Sequence, residues 1–232
     1  MFYIVNHYKF LYYLVNLLDN NYVNKYKTKD TFFNLTEAKK DRVVNAAIDE
    51  FATQGFHKAR ITAITKKAEI AKGSFYQYFD NKRDLFKYII NTTVNKKLEF
   101  INQDMMVNQD QYSFFQLLRE IYRSGIRFAR ENPQLVAIGN ILINNKDLQQ
   151  ETWGEQKDKS ISFYQTLLET GITKGELDPT IDTELISRLL TGLNYSLIDI
   201  IYKDEKINVD NIEKEMNTID KMVDFIKNGI QK

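Results

Sequence analysis

The run KGSFYQYFDNK, from Lys72 to Lys82, gathers side chains suited to hydrogen bonding with an outside partner. Phe75 and Phe79 stand four apart, the spacing that puts two residues on one helix face. They read as anchors to a core. Lys72, Gly73, Ser74 and Gln77 then point the other way, near the N-terminus of the same helix. A glycine there lets the backbone approach a groove closely, while Ser and Gln both donate and accept. The Gln amide matches the edge that adenine presents in the DNA major groove. Tyr76, Tyr78 and Lys82 are types that reach phosphates, which fix register without reading sequence. On the same residues a second reading stays open: Tyr76 and Tyr78 cover the core, and Lys72 and Lys82 are ordinary solvated charges.

Short helices must position this run. One is expected over about 62–68, burying Ile61, Ile64 and Ala68, then a turn at Glu69–Ala71, then a helix over 72–79. Two short helices across a three-residue turn have the geometry of a helix-turn-helix, whose second helix enters the major groove. Upstream, Thr36 is placed to cap a helix carrying Val44, Ala47, Ile48 and Phe51 at i, i+3, i+4, i+7, with Gly55 as its stop. Asp80 or Asn81 caps a further helix from near Lys82, with Leu85, Phe86, Ile89 and Ile90 inward. Longer helices are expected over 82–106, 111–131, 133–145, 154–174, 182–203 and 209–229. Pro133 suits a first turn, and Gly175 and Pro179 mark a loop. The fold class is all-α: a three-helix helix-turn-helix domain at 35–81, then a larger helical domain at 82–232.

Composition agrees. Two prolines and nine glycines are few for 232 residues, which disfavours a turn-rich β architecture. The lack of cysteine excludes disulfides, thiolate nucleophiles and Cys-based zinc sites. Residues 36–90 hold eleven Lys/Arg against seven Asp/Glu, whereas 91–232 hold seventeen against twenty-two. A basic segment ahead of an acidic one suits a polyanion-binding module joined to a domain that leaves DNA alone. The two histidines, His7 and His57, belong to no metal or triad spacing, and no glycine loop cradles phosphate. No enzyme activity, metal or cofactor is expected.

Residues 1–34 form an atypical extension. The stretch 1–18 is rich in Phe, Tyr, Leu and Val, but Asn6, His7, Lys9 and Asn16 interrupt it, so no stable membrane insertion is expected. It reads as an extra amphipathic helix or as the product of a start codon placed too far upstream. Residues 19–34 read as a polar linker, and the location as cytoplasmic.

The segment from Lys39 to Ile90, and KGSFYQYFDNKRDLF within it above all, resembles the N-terminal domain of the TetR/AcrR family of repressors. AAIDEFATQGF is similar to that family's first helix and glycine stop, and the later GITKGELDPTIDTELISRLLTGLNYSL to its link into a late helix. The resemblance implies that Lys72, Gly73, Ser74 and Gln77 face the groove, that Tyr76, Tyr78 and Lys82 contact the backbone, and that Arg60 and Thr62 lie near phosphates. Three positions depart from the pattern: Arg60 and Ala71 replace the usual hydroxyl caps, and Glu69 occupies a turn position usually held by glycine.

The resemblance further implies a homodimer through the last two helices, about 182–203 and 209–229, bound as a repressor to a double-stranded palindromic operator. Leu185, Ile186, Leu189, Leu190, Leu193 and Leu197 give one stripe that fits this; Ile212, Met216, Ile219, Met222, Val223 and Ile226 give another. It implies too a small-molecule effector, expected to be apolar or amphipathic, with Tyr122, Phe128, Trp153, Phe163, Tyr164, Asn194 and Tyr195 as candidate lining residues. The competing reading is a helical ligand-binding or interaction protein whose DNA binding has weakened or been lost, which the altered caps would favour.

Overall fold

The computed structural model describes residues 28–202 and 212–230, so the apolar stretch 1–18 and most of the expected linker lie outside the described residues. The described chain is helical, with one 3₁₀ turn and no β-strand. In order the helices are α1 (Asp30–Phe33), α2 (Glu37–Lys58), α3 (Ile61–Lys67), α4 (Lys72–Tyr78), α5 (Lys82–Leu98), α6 (Gln103–Val107), α7 (Phe114–Glu131), α8 (Pro133–Ile143), α9 (Lys146–Thr173), α10 (Thr183–Tyr202) and α11 (Ile212–Ile230).

Contacts divide the chain into two compact units. The first joins the N-terminal helices, as far as Lys96, to Asn132–Thr152. Its core is Val43, Ala47, Phe51, Ile64, Ala68, Phe75, Phe79, Leu85, Phe86 and Ile89. The inward face of α2 is thus led by Val43 rather than Val44, which is half-buried. Phe51 meets Phe86 edge-on at 5.2 Å and Phe56 at 6.0 Å.

Three local features differ from the sequence expectation, each for a physical reason. Part of the expected linker is built into the core: Asp30–Phe33 turns once, and its Phe32 is fully buried, 4.8 Å from Phe79 and 5.2 Å from Tyr88 between ring centres. A four-residue turn is too short to show periodicity, so only the Phe32–Phe33 pair could have signalled it. The helix expected over 82–106 breaks, because the Asn102 side chain accepts from the Asp104 and Met105 amides and starts α6 afresh. Likewise α9 starts at Lys146, eight residues early, where Asn145 Oδ1 accepts from the Leu148 amide.

Gly55 sits at φ +71 within the last stretch of α2, a conformation that costs a side chain dearly. Between α3 and α4 the chain reverses through a Schellman arrangement. The Ile70 amide donates to Thr65 O at 3.0 Å and the Glu69 amide to Lys66 O at 3.3 Å. That geometry needs a left-handed residue, and Glu69 supplies it at φ +56, the one non-glycine residue with positive φ among those described. The lack of glycine at this turn is therefore real strain.

In the second unit α7 packs against α10 and α11, burying Phe114, Leu117, Leu118, Tyr122 and Ile126 against Leu190, Leu197, Ile219 and Val223. Charges line its edge. Arg119 and Arg123 both meet Asp220, at 2.9 and 2.6 Å, and Arg130 meets Glu215 at 2.8 Å with both side chains nearly sealed from water.

Relief of the left-handed strain at Glu69 should make Glu69→Gly stabilise the protein by about 0.5–1 kcal/mol, net of the flexibility that glycine gives the unfolded chain. Urea unfolding checks this. A lower midpoint for the variant would show that the turn carries no strain.

Candidate nucleic-acid interface

The orientation of α4 follows from its two phenylalanines. Phe75 and Phe79 are both fully buried, which fixes the rotation of the helix. Lys72, Gly73, Tyr76 and Gln77 are consequently exposed and Ser74 half-exposed. The Lys72 and Gln77 side chains have no partner among the described residues. A Cβ built on Gly73 would meet nothing within 4 Å, so the surface there is open. Tyr76 is 43% exposed, with its ring leaning edge-on over Phe75. Arg60 and Thr62, at the start of α3, are exposed as well. Both Arg60 and Ala71 stand at N-cap positions without a side-chain cap. Glu50 partly compensates at Arg60, taking its backbone amide at 2.9 Å.

Two expected phosphate contacts are corrected. Tyr78 is 4% exposed and packs on Phe32, so its ring belongs to the core. Lys82 points inward: its ammonium donates to Phe56 O at 2.8 Å, His57 O at 2.9 Å and Ala59 O at 3.0 Å, and lies 5.0 Å over the Phe56 ring. Three donors and three carbonyls are thus matched at the C-terminal end of α2, where a helix leaves carbonyls unpaired and a cation is favoured. Lys82 is a cap, and the reason was invisible in sequence because its partners lie 23 to 26 residues away.

The C-terminal end of α4 is held by a segment that sequence reasoning passed over. The Lys29 amide donates to Tyr78 O at 3.0 Å, the Lys29 ammonium to Tyr76 O at 2.7 Å, and the Thr31 hydroxyl to Gln77 O. Lys29 also pairs with Asp80 at 2.7 Å, though both are well exposed, so that ion pair adds little. Residues 29–31 therefore satisfy three successive terminal carbonyls of α4, while Phe32 ties them to the core.

The expected effector-lining residues separate into groups. Tyr122 and Tyr164 are buried together; the Tyr122 hydroxyl donates to Leu190 O at 3.3 Å, and burial pushes its phenol well above the usual range. Phe163 packs edge-on against Tyr164 at 5.4 Å. Phe128 instead packs on Phe100 at 5.5 Å. Asn194 is half-buried and accepts from the Lys97 ammonium at 3.2 Å. The side chains of Trp153 and Tyr195 lie outside the described residues. Lys97 was missed, since one lysine at the end of a helix carries no signal until the fold encloses it. Among the described residues no group of three or more His, Asp or Glu is placed to hold a metal, and no helix is long and apolar enough to cross a membrane.

Comparisons with known proteins fit this geometry. Residues 43–89 match the family described as bacterial regulatory proteins, tetR family. The chain is 29% identical over 179 residues to the HTH-type transcriptional regulator UidR of Escherichia coli, a match covering 70% of this chain and 82% of that protein. A TetR family transcriptional regulator from Chloroflexus aurantiacus superposes with a TM-score of 0.62 at 26% identity, over 88% of this chain and 99% of the other. The transcriptional regulator FadR from Bacillus subtilis, solved in complex with stearoyl-CoA, shares the fold with a TM-score of 0.62 at 18% identity, over 77% and 96% of the two chains.

The inward role of Lys82 gives a test. Lys82→Met should destabilise the protein by about 2–3 kcal/mol, because charged hydrogen bonds of this kind contribute about 1.5–3 kcal/mol and the helix-end carbonyls lose their cation. A variant with an unaltered urea midpoint and only weakened DNA binding would restore Lys82 to the phosphate backbone.

Proposed function

We propose that this chain, a DNA-binding transcriptional regulator belonging to the bacterial TetR family of regulatory proteins, is a homodimeric repressor that leaves a palindromic operator when a small effector binds. The observation that carries the reading is the outward polar face of α4: Lys72, Gly73, Ser74 and Gln77 face solvent while Phe75 and Phe79 are sealed beneath them. In this reading residues 35–81, braced by 28–34, form the reading head. Residues 82–232 bind the effector and dimerise, the protein is cytoplasmic, and it carries no catalytic role. Arg60, Thr62 and Tyr76 supply backbone contacts beside the groove-facing residues.

One short helix per subunit makes few base contacts, so two subunits must present theirs about 34 Å apart, one turn of DNA. The apolar surface for this is available on the last two helices. Leu185 and Leu189 on α10, and Ile212 and Phe225 on α11, are exposed, Phe225 at 80%. The opposite sides of the same helices are core at Leu190, Leu197, Ile219 and Val223. Large apolar groups left in water at adjacent helices favour a self-complementary contact.

The effector side rests on the buried Tyr122 and Tyr164 and the half-buried Asn194 of the second unit. The same fold holding stearoyl-CoA in the Bacillus subtilis regulator supports an amphipathic molecule. Such a ligand releases DNA only to the extent that it binds the DNA-incompetent conformation more tightly.

The second reading, a helical ligand-binding protein without DNA activity, draws on the uncapped starts of α3 and α4. Titration with random duplex DNA at low and high salt separates the two. A regulator binds and weakens steeply as salt rises, whereas negligible binding at low salt favours the alternative.

Duplexes selected from a randomised pool by the full chain then test the face of α4. Gln77→Ala should relax preference at one base pair of each half-site, at a cost of about 1–3 kcal/mol for the matched base. A uniform loss over all sequences would remove Gln77 from the groove. Leu189→Glu should give a monomer by sedimentation that no longer distinguishes the selected palindrome from a single half-site. A variant that stays dimeric would move the interface elsewhere.

A further inference from the structure

We infer that Lys97, with Asn194 and Thr191, binds the anionic head of an amphipathic effector whose apolar body lies against the aliphatic and aromatic side chains around it. The inference deepens the effector-binding reading above and rests on it. It starts from an ammonium with too few partners. Lys97 lies in the last turn of α5, and its ammonium has one hydrogen-bond acceptor among the described residues, the neutral amide oxygen of Asn194 at 3.2 Å. An ammonium carries three donors, and a charge drawn out of water is costly unless an opposite charge or several acceptors meet it. No carboxylate among the described residues pairs with it.

A second, independent observation sits one helical turn away. Thr191 is 1% exposed, and its hydroxyl oxygen has no partner among the described residues. A helical threonine usually bonds back to a carbonyl three or four residues earlier, as Thr166 and Thr170 do here. Thr191 does not. Residues three apart on a helix share a side, so Thr191 and Asn194 flank one stretch of α10. The opposing surface is α7, where Gly125 leaves its backbone alongside the lysine: a Cβ built there would lie 3.6 Å from both Lys97 Cε and Leu197 Cδ2. Tyr122, one turn earlier on α7, bonds to the carbonyl of Leu190, the neighbour of Thr191.

The chemistry of these groups selects a ligand class. The Lys97 ammonium adjoins the Asn194 amide, and Thr191 adds a hydroxyl one turn away on α10; all three can donate, so the group that completes them is an acceptor with negative charge, a carboxylate or a phosphate ester. Leu197, Leu190 and Tyr122 around them suit an aliphatic or aromatic body. Consistently, burial alone lowers the Lys97 ammonium to about 8, as expected of a cation awaiting its counter-charge.

The test titrates the full-length protein with decanoate, decyl phosphate and decan-1-ol, three probes that share a tail and differ in the head. Calorimetry should show at least one of the two anions binding tenfold or more tightly than the alcohol, and which of them leads distinguishes a carboxylate from a phosphate source. Lys97→Met should lose that preference and bind all three alike, and its melting temperature should be no lower than that of the parent, since a poorly paired charge has been removed. Thr191→Val should weaken the preferred anion several-fold while leaving the alcohol unchanged. Absence of anion binding, equal binding of the alcohol by the parent, or a Lys97→Met variant that melts lower and keeps the preference would each overturn the inference, the last by making Lys97 structural. The effector reading is judged separately with the selected duplex. Anion binding through Lys97 that leaves DNA binding unaltered defeats that reading alone, and release of DNA by a neutral ligand that binds Lys97→Met equally well defeats this inference alone.

Discussion

Phe75 and Phe79 occupy the same side of a seven-residue helix and are both withdrawn from water. Burying two such side chains contributes several kcal/mol, on the order of 1.5–3 kcal/mol each, more than any single polar contact on the helix surface. The rotation of α4 is therefore set from inside, and rotation decides which groups look outward. Phe32 completes this arrangement from more than forty residues upstream, meeting Phe79 and Tyr88. A module of this size has a small core, so each aromatic contact bears on how firmly the outward face of α4 is held.

Short helices expose a second problem, because a helix of seven residues has more terminal backbone groups than internally paired ones. The module solves it unevenly. At N-termini it lacks side-chain caps at Arg60 and Ala71. At C-termini it is well supplied: Lys82 for α2, the Schellman turn at Glu69 for α3, and residues 29–31 for α4. Open N-terminal amides on α3 and α4 are what a partner rich in phosphate oxygen would favour, whereas unpaired carbonyls would repel it.

The second unit works by different rules. Its packed helices α7, α10 and α11 are long enough that termini matter little, and its distinctive feature is that α10 and α11 are apolar on two sides. One side joins α7 in the core, and the other remains in water with Leu189 and Phe225 on it. The nearly sealed pair of Arg130 and Glu215 holds α7 to α11 with defined register, since either charge alone would be strongly unfavourable there. Polar groups drawn partly or wholly from water in such a unit need partners, which is why the half-buried Lys97 and the buried Thr191 stand out against satisfied neighbours such as Ser124 and Ser187.

What the sequence determined by itself was the set of local patterns. Apolar residues at helical spacing foretold α2 through α5 and the long helices beyond. The pair Phe75 and Phe79 foretold which side of α4 turns inward. These are effects of neighbours three or four residues apart, which a linear text records. Tertiary structure alone decided whether a given polar side chain looks in or out when its partner is distant in the chain. Lys82 was drawn to carbonyls some two dozen residues upstream, and Tyr78 was covered by Phe32. Lys29 and Thr31 reached a helix end more than forty residues on, and Lys97 met Asn194 across 97 positions. A lysine carries the same charge in every setting, and only the groups that folding brings within 3 Å determine whether it caps, pairs or waits for a ligand.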